Sequence, residues 1–264
     1  MNNSWIDPVI FSLGPLQVRW YGLMYVIGFI IGAQLIKVLA KQGYSKIVVE
    51  KIDSFITYLI VGMFLGARLT YVFVYNWEYY SQNLSEMFAV WQGGLSFHGA
   101  LMGMILSMIV FARVNKLNFF EVSDVLAVVG APGLFFGRMG NFINGELWGR
   151  TTDVPWAIVF PDGGIYPRHP SQLYEAFLEG IVLFSILWFG RNKFRYQGVA
   201  SSLFLALYGV FRFIVEFFRE PDAQLGFFFG GVTMGQMLCF LMIIAGISMM
   251  IYTLKLKRPL PSKA

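Results

Sequence analysis

Seven apolar runs dominate the sequence, near residues 18–40, 54–75, 95–112, 119–137, 172–190, 199–218 and 231–254. At about 1.5 Å per helical residue, each is long enough to cross a hydrocarbon layer about 30 Å thick. No water reaches backbone N–H and C=O groups in such a layer, so a run of this length must satisfy them internally as a helix. The fold class that follows is all-α, a polytopic membrane protein with about seven transmembrane helices forming one integral membrane domain over residues 1–264. Composition agrees. With 57% hydrophobic and 13% charged residues and a mean hydropathy of +0.62, the chain has more apolar surface than a soluble core of 264 residues can hide. Asp124 enters the fourth run and Pro132 interrupts it, which leaves a kinked or partly re-entrant segment open there. The amino-terminal MNNSWIDPVIFSLGPL carries no basic stretch ahead of an apolar core, so no cleavable signal is expected and the first span is retained.

Lysine and arginine are segregated loop by loop. Lys37, Lys41, Lys46 and Lys51 flank the first connection, Arg113 and Lys116 the third, Arg191, Lys193 and Arg195 the fifth, and Lys255, Lys257, Arg258 and Lys263 the tail. The positive-inside rule makes these connections cytoplasmic, which puts the amino terminus outside and the carboxyl terminus inside. The net charge of +5 then reflects topology and attraction to anionic membrane lipids, and no nucleic-acid partner is expected. Seven arginines remain, Arg19, Arg68, Arg138, Arg150, Arg168, Arg212 and Arg219, all on the outer side or in the outer halves of spans. A charge within a span costs about 2.5 to 3.5 kcal/mol on insertion scales, so such residues should face partners or a wet cavity.

Other polar groups gather at the same outer depth. Tyr21 opens the first span, His98 opens the third within GGLSFHGAL, and Glu175 follows RHPSQLY at the start of the fifth. In LYGVFRFIVEFFR, Tyr208, Arg212 and Glu216 recur at i, i+4 and i+8 with Arg219 one turn on, which predicts one helical face. A single cationic cavity open to the outer leaflet would collect them, although an intrahelical ion pair would also explain Arg212 and Glu216. The glycine pairs 28/32, 62/66 and 99/103 fit close helix packing, and Trp20, Trp77 and Tyr79 fit an aromatic belt. Cys239, the only cysteine, lies in the seventh run and reads as packing.

GRMGNFINGELWGR, residues 137–150, resists that plain reading. Its glycines 137, 140, 145 and 149 would let backbone N–H groups approach an anion, its arginines can grip phosphate oxygens bidentately, and its asparagines can orient a polar ligand. The residues after it, 138–170, are polar and broken by Pro155, Pro161, Pro167 and Pro170, and are expected to form a small extracytoplasmic cap between spans four and five. No GxxxxGK[ST] loop or GxSxG elbow is present, and two histidines with one cysteine give no metal site.

GRMGNFINGELWGR resembles the signature of the prolipoprotein diacylglyceryl transferases. VRWYGLMY, GGLSFHGAL, HPSQLYE and YGVFRFIVEFFR are similar to that family's other blocks in the same order, over residues 17 to about 222. The resemblance implies a bacterial inner-membrane enzyme with its site facing the periplasm. Such an enzyme moves the diacylglyceryl group of phosphatidylglycerol to the lipobox cysteine thiol of a preprolipoprotein signal peptide, forming a thioether and releasing glycerol phosphate. No cofactor is implied, and a monomer is expected. By matching positions, Arg138 and Arg212 would hold the lipid phosphate, and Asn141, Glu146 and Gly149 would shape the headgroup pocket. Tyr21 and Tyr208 would position substrate. His98 is the first choice of general base, and Glu216 would orient Arg212 or share the proton handling, which leaves His98 or a carboxylate as the thiol's proton acceptor. A transporter would place its charges near the midplane between repeats, which this sequence lacks. A lipid-binding receptor would need the pocket without an acid–base group.

Overall fold

The structure is a computed structural model describing residues 5–14, 16–47, 49–90, 93–220 and 232–261. Lys263, residues 1–4 of the amino-terminal stretch and residue 231 lie outside them. Among the described residues, seven helices are long and apolar enough to span a membrane: Trp20–Lys41, Val49–Tyr75, Phe97–Val114, Phe119–Asn144, Ser171–Lys193, Val199–Glu216 and Met234–Leu256. Only 17% of the apolar window is buried in the first and the last of these. Their outward residues, such as Val26, Ile30, Phe240 and Leu241, are left to the bilayer, as the apolar runs require.

The chain forms two compact units, Met1–Ile36 with Asp124–Ala264, and Lys37–Ser123. The first opens with a feature absent from the sequence reading, an antiparallel hairpin of β1 (Val9–Leu13) and β2 (Leu16–Arg19). It runs straight into α1 (Trp20–Lys41), and Arg19 stays beside the hairpin, donating to Gln17.

In the second unit, α2 (Ile52–Thr70) ends in a π-helical turn at Tyr71–Tyr75, short α3 (Trp77–Gln82) follows, and α4 (Phe97–Val114) returns. The glycine pairs 62/66 and 99/103 pack as expected. A β-carbon on any of the four would collide with backbone of the facing helix, so α2 and α4 touch main chain to main chain. Arg68, which is 7% exposed, donates to the carbonyls of Glu86 (2.7 Å), Met87 (2.8 Å), Gly93 (2.8 Å) and Gly94 (3.1 Å), and lies over the ring of Tyr80. Its donors thus bind the connection after α2 into a fixed loop.

In the first unit, α5 (Phe119–Asn144, beginning in the second unit) is one helix with Pro132 inside it, neither broken nor re-entrant. Asp124 has a structural explanation. Its carboxylate accepts from the backbone N–H groups of Gly198 (2.6 Å) and Ser201 (2.8 Å) and from the Ser201 hydroxyl, capping the N-terminus of α8 (Val199–Glu216) from another helix. The fifth span is composite. It consists of α6 (Ser171–Glu175), a π-helical stretch at Ala176–Val182 and α7 (Leu183–Gly190). The last span, α9 (Met234–Leu256), starts in a capping box of Thr233 and Gln236. At the opposite end of α8 and α9, the tail bridges back through Tyr196 and Pro259.

Candidate functional site

The fourth helix does not stop where the hydrocarbon run stops. It continues through Asn144, then turns at Gly145, whose φ of +69° an L side chain rarely adopts. Trp5 donates to the freed carbonyl of Ile143, and the Glu146 N–H to that of Asn141. Arg138 and Asn141 therefore stand on the last turns of a helix, one turn apart, with Arg138 Nη1 3.3 Å from Asn141 Oδ1. Asn141 Nδ2 donates to Glu146 at 2.8 Å, and the Tyr21 hydroxyl, beside this pair, hydrogen-bonds that of Tyr25 at 3.1 Å. Gly140 matters here through its missing side chain, since a β-carbon would meet the Tyr21 ring at 2.8 Å.

This corrects the expectation for the glycines. Gly137 and Gly140 lie within the helix, the Gly145 N–H goes to Phe142 and that of Gly149 to His169, so these backbone groups form no anion cradle. Gly149 serves as a steric seat. It pairs antiparallel with Arg219, and a β-carbon there would strike the Phe218 carbonyl and His169.

The charges converge on a carboxylate of the fifth span. Glu175, 1% exposed, receives Arg138 Nε at 2.5 Å on one oxygen. Its other oxygen faces Arg219 Nη1 at 3.0 Å and Arg212 Nη1 at 3.6 Å. Arg212 also holds Glu216 at 2.8 Å, and Glu216 accepts from Thr233 at the start of α9, where Gly235 leaves room for the carboxylate. Glu179, fully buried, lies 3.8 Å from Arg138 and has no hydrogen-bond partner on either oxygen. Tyr208 lies beside Arg138 and stacks on Phe204. Three guanidiniums thus meet three carboxylates. Arg212 Nη1 is buried and makes no hydrogen bond, which leaves a directed donor in a site of low dielectric.

Arg138, Arg212, Glu216, Tyr208, Asn141, Glu146 and Tyr21 are thereby linked in one unit. Arg219 joins them for a different reason than its spacing suggested. The helix ends at Glu216, so Arg219 does not extend the helical face and arrives instead from the bridged segment. Glu175 and Glu179 are the residues whose roles the sequence reading missed. Their signal was two carboxylates at i, i+4 in a span without a cation of its own, which calls for arginines from other helices. The counter-ions of Arg138 are Glu175 and Glu179.

Nor do all the outer arginines share one cavity. Arg68 and Arg150 donate to backbone carbonyls. Arg168 donates to the carbonyls of Gly149 and Gly163, pairs with Glu220 and lies over Trp148. His98 belongs to the other unit. It is exposed on the first turn of α4, behind the Ser96 cap, with Nδ1 3.2 Å from Tyr75 Oη. Cys239 is 3% exposed, as packing requires.

Beside the cluster lies an apolar cavity of about 420 Å³, walled by Trp156 and His169 of the 145–170 segment and by Tyr174, Phe177, Ile214 and Phe218. Burial holds the His169 imidazole below its ordinary value of 6.5.

The sequence pattern described as Prolipoprotein diacylglyceryl transferase matches residues 8–252. A relative from Nitratidesulfovibrio vulgaris (strain DP4) is 54% identical over 243 residues, covering 92% of each chain. One from Mannheimia succiniciproducens is 55% identical over 242 residues, 91% of this chain and 90% of its own. One from Vibrio cholerae (strain M66-2) is 51% identical over 250 residues, 95% and 92%. All three bear the name phosphatidylglycerol–prolipoprotein diacylglyceryl transferase.

Proposed function

The chain belongs to the prolipoprotein diacylglyceryl transferase family, and from that premise we infer that its arginine–glutamate cluster holds the phosphate of phosphatidylglycerol during transfer. The protein is a membrane transferase that moves the diacylglyceryl group of phosphatidylglycerol to a prolipoprotein cysteine, with a thioether formed and glycerol phosphate released. The thiolate sulfur attacks the glyceryl carbon, the C–O bond to phosphate breaks with its electron pair on oxygen, and the thiol proton passes to a base. The phosphate's charge grows from one to two negative units in this step, so donors aimed at it stabilise the transition state more than the ground state.

The observation that carries the assignment is the pair Arg138 and Arg212, both ranged against Glu175, with Arg212 Nη1 lacking a hydrogen bond. Planar guanidiniums match phosphate oxygens two at a time. The Asn141–Glu146 chain, with Tyr208 alongside, fixes the arginine on α5, and Glu216, tied to α9, fixes the one on α8. Glu175 and Glu216 are both engaged by arginine, and the exposed imidazole of His98 is the proposed base. Its Nδ1 lies 3.2 Å from the Tyr75 hydroxyl, and in the tautomer that donates to that hydroxyl Nε2 is the nitrogen that takes the thiol proton.

Purified protein supplied with phosphatidylglycerol and a lipobox peptide is expected to release glycerol phosphate. His98→Gln is expected to keep lipid binding while transfer falls, and unchanged transfer would remove His98 from the mechanism. The site faces the periplasm across a bacterial inner membrane, by the loop charges. Cysteines placed at exposed Asp162 and Lys193 and treated in spheroplasts with an impermeant thiol reagent should label only at 162. The protein acts as a monomer, testable by its mass in detergent.

A further inference from the structure

We propose that Arg219 is a positioning residue for the reaction, occupying Glu175 so that the guanidinium of Arg212 stays available to the lipid phosphate. The inference rests on the phosphate-clamp reading above and goes beyond it to a residue outside the clamp.

Glu175 carries two oxygens against three arginines. One is taken by Arg138 Nε at 2.5 Å. The other is contested, and Arg219 Nη1 wins it with a hydrogen bond at 3.0 Å while Arg212 Nη1 stands off at 3.6 Å without one. Charge-assisted bonds weaken steeply over that range, so Arg219 keeps the carboxylate from closing on Arg212. Remove Arg219, and Glu175 is free to complete its bond with Arg212. An incoming phosphate must then displace a buried carboxylate before it can bind.

Arg219 owes its place to backbone, not to helix. The Gly149–Arg219 bridge is flanked by the Arg150 N–H donating to the Phe218 carbonyl (2.9 Å), and Arg150 Nε donates to the carbonyl of Arg219 itself (2.8 Å). The Gly149 N–H and carbonyl are engaged by His169 and Arg168, so the segment is held from both sides. Gly149 has no room for a side chain against Phe218. Its part in the reaction is therefore to seat Arg219, rather than to line the headgroup pocket.

Because Arg219 acts on phosphate binding in the ground state, its loss should appear in KM. Arg219→Gln is expected to raise KM for phosphatidylglycerol about tenfold with kcat changed far less. Arg219→Lys should restore most of it, since only one nitrogen meets Glu175. Gly149→Ala should reproduce the KM increase. In a Glu175→Gln background, Arg219→Gln should add little, because the competing charge is gone. An unchanged KM in Arg219→Gln overturns the inference, as does a loss confined to kcat, a loss equal in the lysine variant, or one that persists undiminished in the Glu175→Gln background. Failure of the clamp itself reads elsewhere, as wild-type turnover in Arg212→Lys. An impaired Arg212→Lys beside a normal Arg219→Gln removes only the present inference.

Discussion

Arg68 in the 37–123 unit, buried, and Arg212 in the other, mostly buried, are both arginines in membrane helices, and their donors are used in opposite ways. Arg68 spends its donors on four backbone carbonyls and meets no carboxylate among the described residues. Arg212 is paired with carboxylates and still has a nitrogen without a hydrogen bond. Carbonyl dipoles spread along a loop solvate a cation completely and fix the chain around it. Carboxylates set around the Arg212 guanidinium neutralise it while leaving Nη1, 3.6 Å from Glu175, short of a hydrogen bond. The residue type is the same and both are largely withdrawn from solvent, at 7% and 16% exposure, so the saturation of the donors is what sets Arg212 apart from Arg68.

The largest effect should come from exchanging the arginines of the proposed phosphate clamp for lysine. Arg138→Lys and Arg212→Lys keep the charge but lose the two-pronged geometry, and turnover at saturating lipid should fall at least about tenfold, since a lost charge-assisted bond is worth roughly 1.5 to 3 kcal/mol. Normal turnover in both would erase the distinction drawn here. Arg68→Lys should show the mirror image. A single ammonium cannot reach carbonyls on both sides of the loop, so stability should drop by about 3 kcal/mol while the folded fraction keeps its kcat. A thermal melt and a turnover assay on the same sample check both halves, and a selective loss of kcat would place Arg68 with the chemistry.

A smaller effect concerns pH. His169 is held below its ordinary 6.5 by burial, packed on Phe218 and 3.1 Å from the Tyr174 hydroxyl. The folded state therefore favours the neutral ring. Its contribution is present above about pH 6.5 and lost as pH falls through the lower folded value. A melt followed from about pH 7 to pH 5 should soften in wild type and less so in His169→Gln, whereas equal curves would show that this ring does not couple to stability. The smallest effect is Cys239→Ser. This thiol is buried in packing on α9, so most transferase activity should remain, and a folded but inactive variant would require an enzyme-bound intermediate.

The spans were legible because a run of apolar residues long enough to cross a bilayer has few other folds open to it, and the arginines were legible because a charge in such a run needs a reason. What escaped was pairing. Arg138 could be matched to Glu146 by nearness in sequence, yet its partners are Glu175 and Glu179 on another helix, and no periodicity reveals how two helices are rotated against each other. The π-helical stretch after Glu175 adds to this, since both carboxylates reach the same arginine through a winding that a 3.6-residue count does not describe. Gly149 was legible as important but not as a seat, because its constraint comes from a segment seventy residues away.

The balance of three guanidiniums and three carboxylates also bears on how the chain is built. Arg138 leaves the ribosome well before Glu175 and Glu179 exist, and Glu175 well before Arg212 and Arg219. None of the fourth, fifth and sixth spans can therefore enter lipid alone with its charges matched, apart from the Arg212–Glu216 pair that the sixth span carries within itself. A lone charged span is costly in lipid, so these helices have reason to wait beside the insertion machinery and leave it together. The cluster proposed to hold phosphate thus also gives these three spans a reason to assemble together.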